Sequence, residues 1–197
     1  MKSIVKKAVS NSLSYTEYRS LVAKFADEGK TTGGIPTEDH IVFTKLNEAR
    51  MHRLDKTMQV TDETKSFLEN LKKEYTWIVI AESWCGDAAQ ILPVINKMAS
   101  VSDKINLRIV LRDDNDELMN QFLTNGTKSI PKLIIIDKES NDVAADFGPR
   151  PIMAKQLILD YKAEHGVVDE TAKIELQKWY LQDKGISTQN EIVELMK

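Results

Sequence analysis

The sequence predicts an α/β protein, because apolar runs of strand type alternate with segments of helical periodicity. The clearest strand signal covers residues 76–81, and residues 105–111 are apolar enough for a strand buried on both faces. Between these runs, apolar residues recur at helical spacing, namely Ala88, Ile91, Leu92, Ile95, Met98 and Ala99. A sheet covered by helices is the architecture that buries such a set.

The bulk composition is that of an ordinary soluble globular protein. The 197 residues are 42% hydrophobic and 29% charged, enough for one domain with additions or two small ones. A net charge of −3 gives no general basis for nucleic-acid binding. No sustained apolar stretch predicts a signal peptide or a membrane span, and one cysteine argues against a disulfide-built secreted scaffold. We therefore expect a cytoplasmic protein with no nucleic-acid or membrane partner.

Three helices are predicted before the first strand. Residues 1–12 are expected to be loose or only partly ordered. A capping box of Ser14 and Glu17 then begins the first helix, which ends at Gly29. A glycine- and threonine-rich connector over residues 30–36 follows. The predicted helices cover about 14–29, 37–56 and 61–71.

The second half of the chain predicts two more strands and four helices. Strands are expected over 132–137 and over 143–147, the latter as a short edge strand. Asn125 and Gly126 are expected to end a short helix. The helices are predicted at about 116–123, 152–165, 169–184 and 188–196, the last with a capping box at Thr188 and Glu191.

The cysteine of this chain occupies a distinctive place. Cys85 follows the first strand run and Trp84, and precedes Gly86 and a helical pattern. A thiol at the first turn of a helix faces unpaired backbone N–H groups and the positive end of the helix dipole. Both favour the thiolate, which is the reactive form. We therefore expect Cys85 to be accessible and partly ionised, although a lone cysteine can also be buried and inert.

The segment from Trp84 to Ala88 resembles the Trp-Cys-Gly-Pro-Cys motif of the thioredoxin superfamily. Pro93 falls where thioredoxins carry a helix-kinking proline, and residues 129–137 resemble their cis-proline loop and the strand after it. The resemblance implies a thioredoxin-like fold with a central mixed β-sheet flanked by helices. It covers roughly residues 61–165, which leaves an N-terminal helical extension over 1–60 and a C-terminal helical tail over 166–197.

The sequence departs from the family pattern at three positions. Ala88 stands where the second cysteine would be, Asp87 replaces the proline, and Val79 replaces a buried acid. With one cysteine in 197 residues, no disulfide can form within the chain. The usual dithiol cycle of the family is therefore excluded.

The resemblance places a candidate site around Cys85. It implies a cis peptide bond before Pro131 and a backbone at Ile130 that is offered to a bound peptide or thiol. Asp87 either acts on the proton and charge of the thiol or simply caps the helix. The expected lining is Trp84, Gly86, Asp87, Ala88, Ile130 and Pro131, with Glu82 at the same mouth.

No metal site is expected. Asp113, Asp114 and Asp116 lack the pattern of a calcium loop. The three histidines lie in separate segments without ligand spacing and are interpreted as surface or satisfied helix residues; they are His40, His52 and His165.

Two functions fit these residues. In the leading hypothesis, the Cys85 thiolate attacks a protein disulfide or accepts glutathione or another low-molecular-weight thiol, and an external thiol resolves the mixed disulfide because Ala88 cannot. The alternative is a redox-inactive module that binds peptides through the Pro131 loop or acts as an adaptor. A thiol pKa well below about 8.5 favours exchange, and a normal or raised pKa favours binding. Neither hypothesis needs another cofactor, and the oligomeric state is left open.

Overall fold

A four-stranded mixed sheet forms the centre of the computed structural model, which describes residues 2–197. The strand order is β2-β1-β3-β4, with β1 parallel to β2 and antiparallel to β3. The strands are β1 (Tyr75–Ala81), β2 (Ile105–Leu111), β3 (Lys132–Asp137) and β4 (Val143–Phe147). The predicted α/β, thioredoxin-like fold class is confirmed.

The central strands are buried along their length, which explains why their sequences are apolar without alternation. The five residues Trp77–Ala81 of β1 are 0% exposed, and every residue of β3 is buried. The interpretation of β2 as buried on both faces was wrong in part, because β2 is an edge strand and Asn106 is exposed. Leu13 covers this edge by exchanging two backbone hydrogen bonds with Ile109, of 2.8 and 2.7 Å. β4 forms the other edge, as predicted.

The helices begin and end close to where the sequence signals place them. Ser14 and Glu17 form the predicted capping box, and Gly29 ends that helix with a φ of 64°. The helices are α1 (Lys2–Ser10), α2 (Tyr15–Glu28), α3 (Glu38–Thr57), α4 (Asp62–Glu69), α5 (Gly86–Ala99), α6 (Asp116–Met119), α7 (Ile152–His165), α8 (Glu170–Asp183) and α9 (Ile186–Met196).

Three predictions about the helices were wrong. Residues 2–10 form α1 instead of a loose segment, because Val5 and Ala8 pack into the core. Helix α6 ends at Met119, earlier than the sequence indicates. Helix α9 begins at Ile186, so that Thr188 is a buried residue within the helix instead of its cap.

Helices from both ends of the chain pack around α5. Helix α3 packs against α5 and α2, while α9 packs against α5, α4 and β4. Helix α8 packs against α7. The division into an extension over 1–60, a core over 61–165 and a tail over 166–197 stays a prediction. None of the helices within residues 2–197 combines the length and the apolar character needed to cross a membrane.

Candidate functional site

The turn between β1 and α5 positions Cys85 as the N-cap residue of the helix. Its Sγ accepts the N–H of Ala88 at 3.4 Å, and its thiol donates to the carbonyl oxygen of Ile130, also at 3.4 Å. The backbone N–H of Cys85 donates to the carbonyl of Glu82, which closes the turn. The structure therefore brings together the two segments that the sequence pairs, the Cys85 turn and the Ile130–Pro131 loop.

A close passage of two backbones fixes the proline loop. The peptide bonds before Pro131 and Pro149 are both cis. Gly148 has a φ of 116°, and a Cβ at this position would lie 2.3 Å from the carbonyl oxygen of Pro131. Only glycine fits such an approach at such a φ. Because Gly148 lies against Pro131, Arg150, two residues later, is placed beside the Cys85 turn, where it bonds Asp87.

The thiol of Cys85 is buried, contrary to the expectation of an accessible and partly ionised group. The residue is 7% exposed, and burial raises the pKa of the thiol from 9.0 to about 12. The Asp87 carboxylate contributes to this rise, whereas hydrogen bonds from the N–H groups of Ala88 and Asp87 and the charge of Arg150 oppose it. The net rise corresponds to about 4 kcal/mol against the thiolate, whereas a helix terminus contributes about 0.3–1 kcal/mol. Burial therefore outweighs the helix end.

Asp87 is the centre of a polar group that we call the Asp87 cluster, formed by Asp87, Arg150 and Tyr180. Nε and Nη2 of Arg150 donate to one carboxylate oxygen at 2.9 and 2.7 Å. The hydroxyl of Tyr180 donates to the other oxygen at 2.9 Å. Asp87 is 9% exposed, and burial beside it raises the pKa of Tyr180 well above its usual range. Asp87 thus disfavours the thiolate, and its carboxylate fastens α8 to the site.

A second polar group, the Ser83 cluster, gathers around the residue two positions before Cys85 and consists of Thr31, Thr32, Thr44, Asn47 and Ser83. The Oγ of Ser83 lies within 3.2 Å of the hydroxyls of all three threonines and accepts the backbone N–H of Thr32. Nδ2 of Asn47 donates to the carbonyl of Ser83 at 2.9 Å. The cluster fastens the 30–36 connector and α3 to the end of β1.

A cleft of about 780 Å³ contains Cys85, Asp87 and Arg150 among its lining residues. Trp84 forms one wall, with the ring of His40 stacked at 4.4 Å and the guanidinium of Arg112 at 4.9 Å from the ring centroid. Helix α8 forms another wall, and Gln177 on it accepts a 2.7 Å hydrogen bond from Gln90. The cleft can hold a ligand of several residues or a small molecule.

Other predicted site residues are placed as follows. Ala88 is buried beneath the thiol and offers only its backbone N–H. Glu82, which was expected at the mouth, is buried away from the cleft, where its carboxylate accepts the N–H of Asp113 and burial raises its pKa. Val79 is fully buried in β1. Within residues 2–197, no group of three or more His, Cys, Asp or Glu side chains could hold a metal ion.

The sequence interpretation missed Arg150, Tyr180 and Arg50 as site residues. Arg150 had a usable signal, since it stands between two prolines directly after an edge strand and such a loop is rigid. Tyr180 on α8 and Arg50 on α3 lie far from Cys85 in the sequence, and no motif near the thiol points to them. Arg50 lies beside Gly86 in the structure.

Comparison with known proteins identifies the family. A family model described as thioredoxin matches residues 34–165. The chain belongs to the thioredoxin family. Two solved structures share the fold of this thioredoxin-family chain at 17% sequence identity. One is a protein of unknown function from Pseudomonas aeruginosa, with a TM-score of 0.58, covering 93% of this chain and 97% of that one.

The other similar structure is an HIV epitope scaffold, with a TM-score of 0.55, covering 93% of this chain and 98% of the scaffold. At this level of identity, both similarities concern the fold alone. A search of curated protein sequences found no significant match.

Proposed function

We propose that this thioredoxin-family protein is a binding module, and that its ligand occupies the cleft above Cys85 and the Ile130–Pro131 loop. The observation that carries the proposal is a buried, protonated thiol on the floor of a cleft of about 780 Å³. Binding sites for small ligands and peptide segments have about this volume and combine apolar walls with a few polar groups. A redox-inactive binding module is also the alternative that a raised thiol pKa favours.

The state of Cys85 argues against exchange as the resting activity. With a pKa of about 12, about one thiol in 10⁵ is ionised at pH 7. Cys85 as a residue is also only 7% exposed, so a disulfide has little access to its sulfur. Ala88 provides no second thiol, so a captured disulfide could not be resolved within the chain.

Monothiol exchange is the second candidate, and one observation favours it. Sγ of Cys85 accepts the N–H of Ala88 and contacts the Ile130 carbonyl, which places it beside the loop that would hold a substrate backbone. If α8 moved away, a Cys85 thiolate would attack one sulfur of a disulfide and release the other as a thiolate. An external thiol would then break the mixed disulfide and return Cys85 to its reduced form.

Capture of binding partners by four proteins separates the two functions. The full-length wild type is compared with Cys85→Ser, with Gly86→Leu and with Gly34→Leu, each used as bait in extracts of the source organism. A Cβ at Gly86 would point at Nη1 of Arg50, 3.6 Å away, so leucine there fills the cleft. Gly34 has no atom within 4 Å of its Cβ position, which makes it the matched control.

The binding function predicts that the same partners copurify with wild type, Cys85→Ser and Gly34→Leu under reducing conditions, and that Gly86→Leu loses them. Disulfide-linked partners that appear with wild type and disappear with Cys85→Ser would instead support exchange. Partners that survive Gly86→Leu would show that the cleft is not the binding site.

A further inference from the structure

The charges around the cleft differ from those of the whole chain. The chain carries a net charge of −3, yet six cationic side chains line the cleft and only two acidic ones do. The cationic residues are Arg50, Arg112, Lys128, Arg150, Lys173 and Lys178. A cleft lined by one sign of charge raises the local concentration of ligands of the opposite sign.

Four of the six cations already have a carboxylate partner within the protein. These partners are Asp113, Asp116, Asp87 and Glu170. The charges of these four cations are therefore largely balanced by ion pairs within the protein. The excess positive charge of the cleft therefore comes from the two cations without such a partner, Arg50 and Lys178.

Arg50 is the remaining cation closest to the thiol turn. It is partly buried, and its one side-chain hydrogen bond within residues 2–197 is to the amide oxygen of Asn47, at 2.8 Å. Burial lowers the pKa of its guanidinium and the charge of Arg53 lowers it further, whereas the Glu170 carboxylate, which is paired with Lys173, raises it. A partly desolvated guanidinium without a carboxylate partner is unfavourable, and an anion bound to it would offset that cost.

The position of Arg50 lets it meet a ligand inside the cleft. Its Nη1 faces Gly86, where the absence of a side chain leaves the space between Arg50 and Gln177 open. A planar guanidinium binds a carboxylate through two parallel hydrogen bonds. Trp84 and Ile174 line the same cleft and offer apolar surface to the body of the ligand.

We infer that the ligand of this cleft carries a carboxylate, which binds Arg50 at the Gly86 turn, and an apolar body that packs on Trp84. The inference rests on the proposed binding function. A carboxylate group fits Arg50 better than a phosphate group, because it is planar and brings one charge to one guanidinium. Arg50 and the exposed Lys178 are the cleft cations without an ion-paired carboxylate among residues 2–197. The carboxylate can belong to an acidic peptide segment or to a small dicarboxylic acid.

Titration of the full-length protein with defined probes tests this inference. The probes are acetyl-Leu-Glu-Leu-amide, its neutral counterpart acetyl-Leu-Gln-Leu-amide, glutarate and inorganic phosphate. Binding is followed at the indole N–H resonance of Trp84 in ¹H–¹⁵N spectra. The variant is Arg50→Gln, and the matched control is Arg53→Gln, an exposed arginine on the same helix that does not line the cleft.

The inference predicts that the Glu probe or glutarate binds the wild type with a Kd at least about tenfold lower than the Gln probe, as expected for a charge-assisted pair. Arg50→Gln should remove this preference and Arg53→Gln should keep it. Glutarate binding as tightly as the peptide assigns a small dicarboxylic acid, and binding of the peptide alone assigns an acidic segment.

Equal affinity for the Glu and Gln probes, an unchanged preference in Arg50→Gln, tighter binding of phosphate, or no binding of either carboxylate would overturn the inference. These outcomes are separate from failure of the proposed function, which the Gly86→Leu capture experiment decides. If Gly86→Leu loses the partners and Arg50→Gln keeps them, the binding function stands, but a carboxylate on the ligand is not needed for it.

Discussion

The Ser83 and Asp87 clusters flank Cys85 in the sequence, and they fasten different parts of the chain. The Ser83 cluster is neutral, and its serine, its asparagine, Thr32 and Thr44 are all buried. The Asp87 cluster is charged, and the Arg150 side chain in it is 29% exposed. The first connects α3 and the connector to the sheet, and the second connects α8.

The difference indicates which side of the cleft can open. A buried network of hydroxyls has no alternative partners, so disrupting it leaves unsatisfied groups in the interior. Arg150 can exchange its carboxylate for water at a lower cost, because it already reaches solvent. We therefore expect α3 and the 30–36 connector to stay fixed, whereas α8 is the wall that moves when a ligand enters.

The largest effect should follow from breaking the fixed side. Ser83→Ala removes the oxygen around which three threonines gather, and it should lower the free energy of unfolding by about 2–4 kcal/mol because several buried donors lose their acceptor. Urea denaturation measures this loss. Ser100→Ala, which removes an exposed hydroxyl bonded within its own helix, should cost less than about 0.5 kcal/mol. Equal losses of unfolding free energy in Ser83→Ala and Ser100→Ala would show that the Ser83 cluster does not hold its side of the site more firmly than an ordinary surface hydroxyl.

A smaller effect is expected on the side of α8. Tyr180→Phe removes one hydrogen bond to the Asp87 carboxylate, while Arg150 stays in place, so unfolding should become easier by about 1–2 kcal/mol. The rate at which Cys85 reacts with iodoacetamide should rise several-fold, because α8 is held less firmly. Tyr161→Phe, whose hydroxyl contacts Asp169 near the surface, is the control and should leave the rate unchanged. An unaltered rate in Tyr180→Phe would show that this contact does not restrain access to the thiol.

The pH dependence of stability reports the burial of the thiol itself. The pKa of Cys85 is raised by folding, so its contribution is fully present below the unfolded pKa of about 8.5 and is lost as pH rises toward about 12. Between pH 8 and 10, the wild type should lose about 2 kcal/mol more stability than Cys85→Ser. Buried tyrosines also titrate above this range, and they affect both proteins alike. Parallel curves for the two proteins would contradict a raised thiol pKa.

The sequence predicts the features that are set by neighbouring residues better than those that are set by residues distant in the chain. Strand β1, the N-cap position of Cys85 and the loop of Pro131 follow from motifs within a few residues of each other, and the shared fold brings them together. The state of the thiol does not follow from them, because it depends on burial and on the Asp87 carboxylate. That carboxylate is held by Tyr180, which is 93 positions from Asp87, and by Arg150 of another loop. Helix α1 was missed for a similar reason, since its Val5 and Ala8 are ordered by packing against distant elements.

The pKa of Cys85 is the most direct measurement of the central claim, which is that the buried thiol is held protonated beside the cleft. The rate of alkylation by iodoacetamide is measured against pH in the native protein and in the urea-unfolded protein. We predict that the native rate stays far below the unfolded rate and does not level off below about pH 10, since the pKa is about 12. A native rate that levels off with a midpoint below about 8.5 would contradict the account and return Cys85 to thiol–disulfide exchange.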